Sequence, residues 1–156
     1  MIKLFDCHNI IDESYNRSHI IHKFKLSKEC NSIKIIFEYN PKFIKNDIKA
    51  KEIIQSTIDK QVVGIEKEKE INNWQAYKKL KNLLTLSIYD AIGFRGAAHR
   101  QDQHQEHIIR KNDASPGMIE GIIPKGEFTI KVSAHAMVTD ECNYNIKVYD
   151  MEEENE

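Results

Sequence analysis

Cysteine is scarce. Cys7, Cys30 and Cys142 make an odd count without a C-x-x-C pair, which excludes a disulfide framework or a thiolate zinc site as the organising device. All three are read as buried free thiols. Long apolar runs are also lacking: none approaches the roughly 20 residues that a bilayer-spanning helix needs, and the opening Met1–Cys7 has no signal-peptide core. The expected compartment is the cytoplasm, with no membrane partner. Charge of one sign is missing too. The 23 basic and 24 acidic residues leave a net charge of −1, so no global field draws nucleic acid or anionic lipid towards the protein. Nor is there a Gly-x-x-x-x-Gly-Lys-Ser/Thr, a Gly-x-Ser-x-Gly or a His-Glu-x-x-His. Nucleotide hydrolysis, serine esterase chemistry and zincin chemistry therefore have no signature here.

What the chain does contain is alternation. Its 156 residues suit a single domain over 1–150, followed by an acidic tail, 151–156, expected to be disordered. Ile2–Phe5 reads as a short edge strand leading into a loop. From Ile20 the period becomes two, with Ile20, His22, Phe24 and Leu26 on one face; Ile33, Ile35, Phe37 and Tyr39 repeat the pattern and stop before Asn40-Pro41. Leu84, Leu86 and Ile88 form one face of a later strand, and His107-Ile108-Ile109 a short one. After the Ser115-Pro116-Gly117 and Pro124-Lys125-Gly126 turns, Phe128 to Val138 alternate strictly. Tyr144, Ile146 and Val148 build the closing strand. About eight short strands separated by turn signals predict a mainly β chain folded as an antiparallel β-sandwich of jelly-roll type.

One stretch breaks the period. Ile44, Ile48, Ile54, Ile58 and Val62 recur every three or four residues, which predicts one inserted amphipathic helix at about 44–62, with Asn46-Asp47 as its cap. Gly64 interrupts it, the Glu66–Glu70 charge run reads as solvated surface, and Trp74, Tyr77 and Leu80 would fold the excursion back onto the sheet.

Candidate chemistry gathers in the stretch Phe94–His107, read as a polar loop. His104 and His107 with Asp102 carry the ligand types that suit a divalent metal such as zinc, although their spacing matches no established motif. Arg95 and Arg100 could hold an anionic ligand by bidentate contacts. His99 lies between them, and His135 points away from the apolar row of its own strand and could face the loop.

The segments Leu83–Asp90, Gly93-Phe94-Arg95-Gly96, Ala114-Ser115-Pro116-Gly117, Ile123–Phe128 and His135–Cys142, together with Phe5–Asn9, occur in an order that resembles the β-sandwich region preceding the catalytic domain in CehA/McbA-type metallohydrolases of the PHP (polymerase and histidinol phosphatase) class. More loosely, strand-Asp-x-x-Gly followed by Pro-x-Gly-x-Phe and a long strand is similar to bacterial pre-peptidase C-terminal domains, which are non-catalytic sandwiches. The resemblance implies an accessory sandwich domain, or a stand-alone relative of one, with a metallohydrolase domain or chain as the partner. The His-x-His metal ligands of the PHP catalytic domain would follow this region and are not found in it, so no phosphoesterase residue is carried onto any position here.

Three readings stay open on sequence. The first is a non-catalytic accessory or binding sandwich; the second is a small metal-dependent hydrolase using His99, His104, His107 and His135. A third is a carbohydrate-binding module that stacks sugars on Trp74, Tyr77 or Tyr89. Ligand and oligomeric state are not legible in the residues.

Overall fold

The computed structural model describes residues 1–43, 47–61, 80–99 and 102–152. It contains eight strands: β1 (Ile2–Asp12), β2 (Ser18–Leu26), β3 (Ser32–Asn40), β4 (Leu83–Tyr89), β5 (Phe94–Ala98), β6 (His104–Arg110), β7 (Gly126–Ala136) and β8 (Glu141–Asp150). Among the described residues one α-helix, α1 (Asp47–Gln61), lies between β3 and β4. The strands form two four-stranded sheets in the orders β1-β8-β3-β6 and β2-β7-β4-β5, with every pairing antiparallel. The pairs β4–β5, β3–β6, β2–β7 and β1–β8 nest like the arms of one long hairpin rolled up on itself. That is the jelly-roll sandwich the alternating strands predict.

Alternation places the core. Ile33, Ile35 and Phe37 of β3, Tyr144, Ile146 and Val148 of β8, Leu84, Leu86 and Ile88 of β4, and Phe128, Ile130 and Val132 of β7 are all buried between the sheets in one cluster. Burying each such side chain contributes about 1.5–3 kcal/mol. A one-residue slip in any of these strands would turn its apolar row to solvent, so the register is strongly specified.

Three elements differ from the expectation. β1 is an 11-residue edge strand rather than a short one with a loop. It continues because Cys7, Asn9 and Ile11 face inwards while Asp6, His8 and Ile10 face out, and β8 pairs with it along its whole length, with a bulge between Lys3 and Phe5. The stretch expected to be a polar loop is mostly strand: β5 and β6 occupy it. Its period was hidden because two inward positions of β6, Gln105 and His107, are themselves polar. The helix runs from Asp47 to Gln61. Ala50, Ile54 and Ile58 form its buried stripe, and the Lys49 ammonium bonds Glu13 and Asp140.

The excursion that carries α1 leaves and returns at one place. Phe43 bridges Lys81, and the Asn82 N–H donates to the Lys42 carbonyl. The fully buried Asn82 side chain donates to Pro41 O and Thr139 Oγ1 and accepts from the N–H groups of Val138 and Thr139. The Asn46 cap, Gly64, the Glu66–Glu70 run, Trp74 and Tyr77 lie outside the described residues. Among the described residues no helix is long and apolar enough to cross a membrane.

Candidate functional site

Arg95 is not available to a ligand. It is 7% exposed, and all five of its N–H donors are used within the protein. Nη1 donates to Asp90 Oδ2 at 2.7 Å and to Ile122 O at 3.2 Å; Nη2 donates to Ile119 O at 2.9 Å and Gly121 O at 2.8 Å; Nε donates to Ile119 O at 3.3 Å. Asp90 answers in kind, its Oδ1 accepting the N–H groups of Ile92 and Gly93. The two residues clamp the β4–β5 hairpin to the 119–122 loop. Burial pushes the Asp90 carboxyl up, but the Arg95 guanidinium and the two backbone N–H groups outweigh it and hold the group below the usual carboxylate range.

The neighbouring glycines serve the same corner. A Cβ on Gly96, at φ +145°, would stand 2.6 Å from Gly117 O and 2.8 Å from the Met118 Cα. One on Gly117, at φ +86°, would stand 2.5 Å from Ala97 O. Backbone approaches backbone here more closely than any side chain permits. Asp90, Gly93, Arg95, Gly96 and Gly117, which carry much of the family resemblance, thus hold one corner of the scaffold together.

The histidines do not converge. His104 projects from the outer face of β6, whereas His107, fully buried, projects inwards and donates through Nε2 to Gln105 Oε1 at 2.9 Å. Gln105 Nε2 in turn donates to the Asp102 carbonyl, and the Asp102 residue itself is exposed. His135 stands on the outer face of the other sheet, 2.7 Å from Thr85 Oγ1, and His99 is exposed just past β5. Arg100 lies outside the described residues. Among the described residues no group of three or more His, Cys, Asp or Glu side chains could hold a metal ion.

A different set does come together. On the outer face of β1-β8-β3-β6, pairing aligns His8 with Asn145, Asn145 with Glu38 and Glu38 with His104, one row across four strands. His8 Nδ1 donates to Asn145 Oδ1 at 2.6 Å, and His104 Nδ1 to Glu38 Oε1 at 2.8 Å. The next row sets Ile10 beside Asn143 and Asn143 beside Asn40. Glu38, Asn40, Gln103, His104, Asn143 and Asn145 line a groove of about 540 Å³ on this face. Sequence reasoning missed it, although a signal existed. Glu38-Tyr39-Asn40 and Asn143-Tyr144-Asn145 are both polar-Tyr-polar triplets, and β3 and β8 lay them side by side, tyrosines in and polar groups out.

Inside the sandwich, Tyr144 Oη accepts from Asn9 Nδ2 at 2.9 Å and lies 2.7 Å from His22 Nε2. Burial raises the Tyr144 phenol to about 12 and lowers the His22 imidazole. Both stay neutral at pH 7, so this is a packed hydrogen-bond network without a charged member. Tyr89 sits edge-on to Phe94 on the other sheet, 5.6 Å between ring centroids, with the Lys131 ammonium over its ring.

No family model matches the chain, and no curated protein does. Among solved structures it is similar to the crystal structure of GEBA250068378 from Sulfurospirillum deleyianum, at 11% identity and a TM-score of 0.34, over 93% of this chain and 98% of that one.

Proposed function

We propose that this chain is a non-catalytic accessory or binding sandwich, related to the region that precedes the catalytic domain in CehA/McbA-type metallohydrolases, and that its partner is a metal-dependent phosphoesterase domain or chain. One observation carries the reading. The polar residue at the centre of the resemblance, Arg95, has all five donors bound within the protein, so what it contributes is a scaffold rather than a reacting group. Free, buried Cys30 and Cys142 suit a reducing compartment and hence the cytoplasm.

The test is turnover of p-nitrophenyl phosphate and bis-p-nitrophenyl phosphate with added Mn²⁺, beside elemental analysis of wild type and His104→Ala. The expected result is background turnover and metal well below stoichiometric. Stoichiometric metal that disappears in His104→Ala, or turnover that falls with it, would overturn the reading in favour of a small metal-dependent hydrolase.

A further inference from the structure

We infer that the groove on the outer face of β1-β8-β3-β6 is a binding site for a neutral oligosaccharide, with Glu38, Asn40, Asn143 and Asn145 as its hydrogen-bonding residues. This rests on the binding-domain part of the proposed function and names the ligand class.

The chemistry of the lining selects that class. Among the described residues no Lys or Arg lines the groove, so an anion there would meet the Glu38 carboxylate without a Lys or Arg among them to offset it. Among the described residues no metal-binding cluster exists there either. The lining is instead rich in carboxamides: Asn40, Gln103, Asn143 and Asn145. Each offers a donor pair and an acceptor in one plane, which matches sugar hydroxyls, since these donate and accept at once.

Two of these residues are held before any ligand arrives. Asn145 gives its oxygen to His8 and so turns its Nδ2 donors outwards. Glu38 gives Oε1 to His104, which leaves Oε2 to accept a hydroxyl. Asn40 is exposed and Asn143 half-buried, and the two stand side by side across β3 and β8. All four residues stand on paired strands rather than loops, so the cost of ordering their backbone is already met by the fold. Ile10, 52% exposed beside Asn143, supplies an apolar contact for the C–H face of a sugar ring.

The experiment is a ¹H–¹⁵N titration of the whole chain with maltohexaose, cellohexaose, xylohexaose and mannohexaose, with inorganic phosphate as the anionic control. At least one oligosaccharide should shift the side-chain NH₂ signals of Asn40, Asn143 and Asn145, and Asn143→Ala and Asn145→Ala should each weaken that binding at least about tenfold while leaving the rest of the spectrum unchanged. Glu38→Gln should weaken it too. No shift with any of the four sugars overturns the inference, as do shifts confined to the Tyr89 face or phosphate binding in the groove. Sugar binding together with His104-dependent turnover would sink the non-catalytic reading and leave the groove standing, so the two failures are distinguishable.

Discussion

Replacing Arg95 with Met removes the guanidinium and keeps much of the side chain's apolar bulk. The Arg95 and Asp90 side chains are 9% and 4% exposed, so the small value typical of exposed ion pairs does not apply. Breaking a buried pair by removing one partner costs about 3–5 kcal/mol, because the survivor is a buried charge without its counterion. The carbonyls of Ile119, Gly121 and Ile122 also lose their donor, at about 1–3 kcal/mol each if they stayed dry. They do not all stay dry: Ile119 and Ile122 are 47% and 39% exposed, so water reaches the loop and the ion-pair figure dominates. The expected loss is about 3–5 kcal/mol, or roughly 6–20 °C in Tm for a chain of this size. Urea denaturation measures it. Arg95→Lys keeps the charge but has three donors for five bonds, so it should recover only part, and it keeps the test usable if Arg95→Met does not fold. In a double-mutant cycle Arg95→Met and Asp90→Asn should couple by at least about 1 kcal/mol. The pH dependence has a fixed sign. With its native carboxyl held low, Asp90 stabilises the fold above the unfolded value of about 3.9, and that contribution is lost as pH falls through the lower native value. A loss below about 1 kcal/mol for Arg95→Met, or full additivity in the cycle, would refute the clamp.

Gly96→Ala should destabilise by at least about 2 kcal/mol, since φ +145° and a backbone oxygen 2.6 Å from the new Cβ cannot both be relieved; an unchanged urea midpoint would show that the corner yields. Burial holds the Cys30 and Cys142 thiols at about 11, so the native protein should present at most Cys7 to Ellman's reagent and three thiols once unfolded, and rapid labelling of two or more in the native state would contradict the packing. The half-buried His22 should titrate below the usual 6.5 in an NMR titration. The unfolded chain then takes up that proton first, so stability should fall as pH drops from about 6.5 towards the native value. His22→Gln should flatten this slope, and a native His22 titrating at 6.5 or higher would count against the Tyr144 network.

How much of this was legible in the residues depended on whether inward positions were apolar. β3, β4, β7 and β8 announce themselves because apolar or aromatic side chains occupy nearly all of their inward positions, and hydrophobic period is the strongest local signal. β6 hides because Gln105 and His107 face inwards, where Gln105 joins His107 to the Asp102 carbonyl. β1 hides beyond Phe5 because Cys7 and Asn9 are its inward residues, and Asn9 is tolerated only because Tyr144 from β8 meets it. Such partners come from distant strands, which no local window contains. The histidine-rich stretch invited a metal reading for the same reason. His104 and His107 are three apart, which would place them together on a helix, but a strand turns them to opposite faces.

The clamp residues and the groove residues lie in different kinds of position, and that separates them experimentally. Asp90, Arg95, Gly96 and Gly117 are recognisable in sequence because few residues can do what each does: fill five donor bonds, or let backbone touch backbone. Such positions report a fold, so a resemblance built on them carries scaffold and leaves ligand open. Glu38, Asn40, Asn143 and Asn145 stand on outward strand positions, where substitution changes neither core nor register. A surface replacement of that kind stays within about 0.5 kcal/mol. The two sets should therefore dissociate in both directions. Asn143→Ala and Asn145→Ala should lose the groove's ligand at unchanged urea midpoint, while Arg95→Lys should lower the midpoint and leave ligand affinity intact in the fraction that remains folded. If the asparagine variants unfold, the amides are structural and the groove is only the outside of a sheet.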